Sequence, residues 1–140
     1  MEESVVISVE GTQRMVGEEK QTVQIVTDGT MKREGDMVYL SYEESEMTGM
    51  EGTTTTFELR GPQVRLIRTG KVNSVMDFAP GRVDESLYEA GPGALMLRVQ
   101  TKNLTVLMNE HGGIFDLAYT IEVEYATCGL NSYHIEIRTT

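Results

Sequence analysis

Few residues in this chain have the types and spacing that chemistry demands. Its 2 histidines are His111, in EHGG, and His134, in SYHIEIRT, so a three-histidine metal site is excluded, and one completed by carboxylates would need a coincidence of the fold. Its single cysteine, Cys128 in ATCGLN, has no histidine beside it to act as base, so the expectation is a small unreactive thiol. No GxSxG elbow, phosphate-binding loop or HExxH pair occurs. No catalytic residue, no metal and no cofactor are therefore expected, and the chain reads as a non-enzyme.

Arg68 stands apart. In QVRLIRTG, residues 63–70, a strand places Val64, Leu66 and Arg68 on one face and Arg65 and Ile67 on the other. An arginine in apolar phase either ends the face at the water line or sits inside as a polar anchor. An unpaired buried guanidinium costs several kcal/mol, so it needs a carboxylate, carbonyls, water or a bound anion. Glu58 and Asp77, on the neighbouring segments, are the candidate protein partners. Tyr42 shares phase with Val38 and Leu40, and Tyr119 lies in the stripe of Phe115, Leu117, Ile121 and Val123. With Arg98 of LMLRVQT, these make a candidate ligand-binding set of Arg68, Tyr42, Tyr119 and Arg98.

The elements that must position this set alternate with period two almost throughout. Val5, Ile7 and Val9 open the pattern, followed by QTVQIVTDGTMKR at 21–33, where Asp28-Gly29 predicts a bulge or tight break. MVYLSYEE, TTTTFELR, VRLIRT and VNSVMDF follow, separated by a loop at 44–52 and by the pairs Gly61-Pro62 and Gly70-Lys71. Strands joined by such short turns must be antiparallel neighbours. RVDESLYE and a glycine–proline turn at 91–93 lead to a long segment at 94–110 that breaks at Lys102-Asn103. Gly112-Gly113 then turns the chain into IFDLAYTIEVEY, and SYHIEIRT ends it. The prediction is one all-β domain over residues 1–140, an antiparallel up-and-down barrel of eight to ten strands, closed so that no edge is exposed.

Composition agrees with a compact domain and limits its partners. At 140 residues the chain buries roughly two thirds of its unfolded surface and needs no staples. With 22 acidic and 12 basic residues its net charge is -10, which opposes nucleic acid and anionic membranes; the longest basic run, Lys32-Arg33, is flanked by Glu34 and Asp36. The acidic run EESE at 43–46 reads as a solvated loop. One cysteine permits no internal disulfide, the first residues lack the continuous apolar core of a signal peptide, and no apolar run is long enough to span a bilayer, so a cytoplasmic protein is expected.

The order VYLSYEE (38–44), VRLIRTG (64–70), VMDF followed by Gly81, Tyr88 before a glycine turn, LMLRVQT (95–101) and GIFDLAYTIEV (113–123) resembles the YwiB-like family of small bacterial β-barrel proteins, grouped with the calycins. The resemblance runs over nearly the whole chain and implies a calycin-like barrel. It brings a fold and no activity, although calycins often bind small apolar ligands inside the barrel. The chain departs from lipocalins in having no tryptophan, and from fatty-acid-binding barrels in lacking an Arg-x-Tyr pair in its C-terminal HIEIR.

Two functions follow as expectations. One is a barrel that takes a small, partly apolar and anionic molecule in its interior, held by the four residues above. The alternative is a barrel filled by its own side chains that serves as a protein-interaction or dimerisation module, using its acidic exterior, the methionine-bearing loop at 44–52 and a last strand able to pair with a neighbour's edge.

Overall fold

The alternation is realised as strands. The computed structural model describes residues 2–15, 17–90, 93–123 and 126–140, and their side chains apart from those of 90 and 126–128. The side chain of Cys128 and the turn at 91–92 therefore lie outside the described residues. The described residues form ten strands: β1 (Glu2–Met15), β2 (Gln21–Glu34), β3 (Met37–Glu43), β4 (Thr53–Arg60), β5 (Gln63–Gly70), β6 (Val72–Phe78), β7 (Val83–Ala90), β8 (Gly93–Asn109), β9 (Gly112–Val123) and β10 (Ala126–Thr139). Each pairs antiparallel with its neighbours in sequence, and β1 closes on β10 from Val5↔Thr139 to Met15↔Gly129. The result is the closed up-and-down barrel that the short turns predict. Because β10 is paired by both β1 and β9 from Gly129 to Arg138, the SYHIEIRT stretch has no free edge for a neighbour, which corrects that expectation.

Three local features refine the reading. The break at Lys102-Asn103 is a register shift between Thr101 and Asn103, a bulge that restores the inward phase at Leu104. Asp28-Gly29 makes no bulge, since β1 and β2 stay in register from Glu2↔Lys32 to Gln13↔Gln21. Gly29 is instead a point of close approach, where a Cβ would lie 2.5 Å from the Ser41 carbonyl oxygen and 2.6 Å from Ile7 Cδ1. The turn before β9 falls at residues 110–111, with Gly112 and Gly113 already in the strand.

Inward residues fill one end of the barrel with hydrocarbon. Ile7, Met31, Leu40, Phe57, Val64, Leu66, Phe78, Val99, Phe115, Leu117 and Ile135 are all at most 2 % exposed. Phe57 meets Phe115 edge to face, with ring centroids 5.1 Å apart. Burial of this kind is the main driving force of the fold.

The wall is not uniformly sealed. β2 pairs with β3 only from Thr30↔Ser41 to Glu34↔Met37, although β2 itself continues to Gln21. Its stretch from 21 to 29 is paired with β1 alone, so a gap opens between β2 and the end of β3. The loop after β3 lies beside this gap. It carries one short 3-10 turn, Glu46–Thr48, whose first amides are capped by Ser45: its hydroxyl accepts from the Met47 N–H at 3.3 Å. A second thinning lies between β6 and β7, which share only the pairs Val72↔Ala90, Asn73↔Glu89 and Ser74↔Tyr88.

Candidate functional site

Strand register brings the inward polar residues together at the end opposite the hydrocarbon. Tyr42 faces Thr55, Thr55 faces Arg68, Arg68 faces Ser74 and Ser74 faces Tyr88, one residue from each of β3 to β7. Period two delivers them, as Arg68 follows Leu66 and Tyr42 follows Leu40 at successive inward positions. From the opposite wall come Tyr119 of β9 and Tyr133 of β10, whose rings stack with centroids 6.4 Å apart. Tyr133 fits because Gly11 faces it across β1; a Cβ on Gly11 would approach the ring to 3.3 Å.

Arg68 is the centre of this belt. It is 6 % exposed, and its Nη2 donates to the Tyr133 hydroxyl at 3.1 Å. Its Nε is buried and has no hydrogen-bond partner among the described residues, and the same holds for Ser74 Oγ and Thr101 Oγ1. No carboxylate lies within ion-pair distance of Arg68 among the described residues. Burial works against the charge of the guanidinium and the hydrogen bond to Tyr133 favours it; its pKa is raised from an already high value, so it stays charged. Burial likewise pushes the Tyr42 and Tyr119 hydroxyls up, which keeps both neutral and able to donate.

Glu44 completes the charge pattern. It continues the inward phase of β3 two positions beyond Tyr42, is 6 % exposed, and accepts from the Thr55 hydroxyl at 3.1 Å and the Thr48 hydroxyl at 3.4 Å. Desolvation raises its pKa, an effect that Arg68 and the two threonines only partly oppose.

Tyr42, Glu44, Arg68 and Tyr133 line a cavity of about 200 Å³ at the gap between β2 and β3. Val9, Val23, Ile25 and Met50 supply its apolar wall, and Tyr42, Glu44, Arg68 and Tyr133 its polar one. A cation and a carboxylate that do not contact each other, flanked by neutral hydroxyls and hydrocarbon, can bind and orient a small polar molecule. Among the described residues no group of three or more potential metal ligands forms.

Of the sequence-predicted set, Arg68, Tyr42 and Tyr119 point inward to one end of the barrel. Arg98 does not. Leu97 and Val99 take the inward positions of β8, so Arg98 must lie on the outer face, where its side chain is 53 % exposed and 3.9 Å from Glu122. Neither predicted partner reaches Arg68. Asp77 faces Arg65 across β5 and β6 and pairs with it at 2.7 Å on the outer wall, and Glu58 faces Arg65 from β4. Glu44, expected to be solvated with the rest of its acidic run, is buried instead. In the sequence Tyr133 shares phase with Ile135 and Ile137, but nothing local announces that its hydroxyl meets an arginine from β5.

His134 lies outside this site. Its Nδ1 is 2.5 Å from Asp116 and its Nε2 3.4 Å from Glu136, on the outer wall, so both ring nitrogens are engaged by carboxylates and its pKa is raised, chiefly by the Asp116 hydrogen bond.

Comparison with known proteins supports the fold over its full length. The crystal structure of the ywiB protein from Bacillus subtilis is similar with a TM-score of 0.87 and 22 % identity, covering 99 % of this chain and 93 % of that one. No curated protein matches the chain. No helix among the described residues is long and apolar enough to cross a membrane. The family described as a domain of unknown function, DUF1934, matches residues 7–137, and with the ywiB likeness this bears out the YwiB-like resemblance: the chain belongs to the DUF1934 family.

Proposed function

We propose that the chain is a non-enzymatic binding barrel that admits a small molecule at the gap between β2 and β3 and holds its anionic group against Arg68 and Tyr133. The observation that carries this reading is Arg68 itself, a buried guanidinium in the wall of the cavity with no carboxylate within ion-pair distance among the described residues. A guanidinium so placed gains an anion as partner without first giving up a protein carboxylate. Tyr42 adds a neutral donor, and the apolar wall accommodates a short hydrocarbon; Tyr119 points to the same end of the barrel but does not line the cavity. The cavity, about 200 Å³, is smaller than the roughly 300–1,000 Å³ of sites for drug-sized ligands, which favours small acids over fatty acids or isoprenoids. The lone cysteine, which leaves no internal disulfide, fits a cytoplasmic setting.

A thermal-shift screen with short-chain carboxylates, long-chain fatty acids and isoprenoid acids tests this. Saturable stabilisation by the short acids, lost in Arg68→Met, is expected. Failure of every acid to stabilise a folded protein would count against the pocket.

One observation favours a second reading, that the barrel associates with another protein strand. The stretch of β2 from 21 to 29 has one unpaired edge, and its first seven residues, QTVQIVT, carry no charge. Such an edge can take an added strand or a second copy of the chain. Light scattering over a range of concentrations decides: a strict monomer counts against dimerisation through β2.

A further inference from the structure

We infer that the occupant of this cavity is a small zwitterion of the α-amino-acid type, with its carboxylate on Arg68 and its ammonium on Glu44. The inference rests on the binding reading above and adds the class of ligand. It starts from two charges of opposite sign that line one cavity, each buried, and no ion pair within 4 Å joins them or links either to another residue among the described residues.

Each charge is only partly provided for by the protein. Arg68 has the Tyr133 hydroxyl and an unpartnered Nε, and Glu44 has the hydroxyls of Thr55 and Thr48. Hydroxyl donors satisfy part of a carboxylate's acceptor capacity, but they bring no countercharge. A simple anion can bind on Arg68, but it brings a second negative charge into a site that already holds Glu44, and that repulsion weakens its binding. A simple cation on Glu44 meets the same obstacle from Arg68. A molecule carrying both charges gives each side chain its partner and leaves the net charge of the site unchanged, so the site favours a zwitterion over the simple anion or cation.

Size and shape agree. About 200 Å³ corresponds to roughly seven waters at about 30 Å³ each, the scale of an amino acid with a short side chain. Val9, Val23 and Ile25 provide an apolar surface for that side chain, and the gap between β2 and β3 provides a way in.

The test is calorimetric titration of the intact protein with three matched probes: norvaline, pentanoate, which lacks the ammonium, and butylamine, which lacks the carboxylate. Norvaline is expected to bind at least about tenfold more tightly than either other probe, and Glu44→Gln is expected to reduce norvaline to the level of pentanoate. Pentanoate binding as tightly as norvaline would overturn the zwitterion assignment while leaving the anion pocket standing. Absence of binding by all three would overturn both. The comparison is made on the unaltered chain, so it holds even if the Glu44 variant does not fold.

Discussion

Arg68 and Glu44 lie on the wall of one cavity, both 6 % exposed, yet they make separate hydrogen bonds, Arg68 to Tyr133 and Glu44 to Thr55. Thr55 sits directly opposite Arg68 across β4 and β5, so the two charges are held apart by the residue that solvates one of them. In a barrel otherwise packed with hydrocarbon such as Phe57, Phe78 and Phe115, this is where buried charge interrupts the core.

Removal of the guanidinium follows from that relationship. Arg68→Met should keep the fold and change unfolding stability by less than about 1 kcal/mol, because the side chain makes a single protein hydrogen bond. A structural buried ion pair would instead lose about 3–5 kcal/mol on the same change. Urea denaturation of the two proteins distinguishes these outcomes.

The hydrocarbon end should respond quite differently. Phe57 is 1 % exposed and packs against Phe115, so Phe57→Ala should cost about 3–5 kcal/mol in the same denaturation experiment. A loss under about 1 kcal/mol would mean that this end is not close-packed.

Glu44 gives a pH dependence with a definite sign. Its folded pKa is raised, so the proton is bound more tightly in the folded state; the associated stability is present below the unfolded pKa of about 4.3 and is lost as pH rises through the folded value. Glu44→Gln should therefore melt higher than the parent at neutral pH, and the difference should shrink as the pH falls toward 4. A difference that grows on acidification contradicts the desolvation of Glu44.

His134 offers a check on the β9–β10 register. With Nδ1 against Asp116 it should titrate above about 6.5 by proton resonance, and Asp116→Asn should bring it back down. Its contribution to stability is present below the unfolded pKa and fades as pH rises through the folded one, and it is small because the side chain is 43 % exposed.

Gly29 tests why the wall opens where it does. Gly29→Ala places a methyl group against the Ser41 carbonyl and Ile7, which should cost about 1–3 kcal/mol by overpacking. Unchanged stability would show that β2 and β3 are not held this closely.

How far these features were legible in the sequence depends on whether they obey alternation. Arg68, Tyr42 and Tyr119 do, and counting by twos placed all three inside. Arg98 also obeys it, but on the outer face, since Leu97 and Val99 claim the inner one. Glu44 continues the phase of Val38, Leu40 and Tyr42, a signal hidden by the acidic composition of its run. The cross-barrel contact of Arg68 with Tyr133 and the parting of β2 from β3 depend on register and strand stagger, which periodicity within one strand does not encode.

The most direct measurement is a nitrogen–proton correlation spectrum of the labelled arginine side chains, recorded as norvaline is added. The Arg68 Nε–H resonance should move saturably with ligand, while those of exposed arginines such as Arg60 and Arg98 stay in place. An Arg68 resonance that remains fixed at saturating norvaline, pentanoate and butylamine alike would contradict the assignment of this end of the barrel as a binding site.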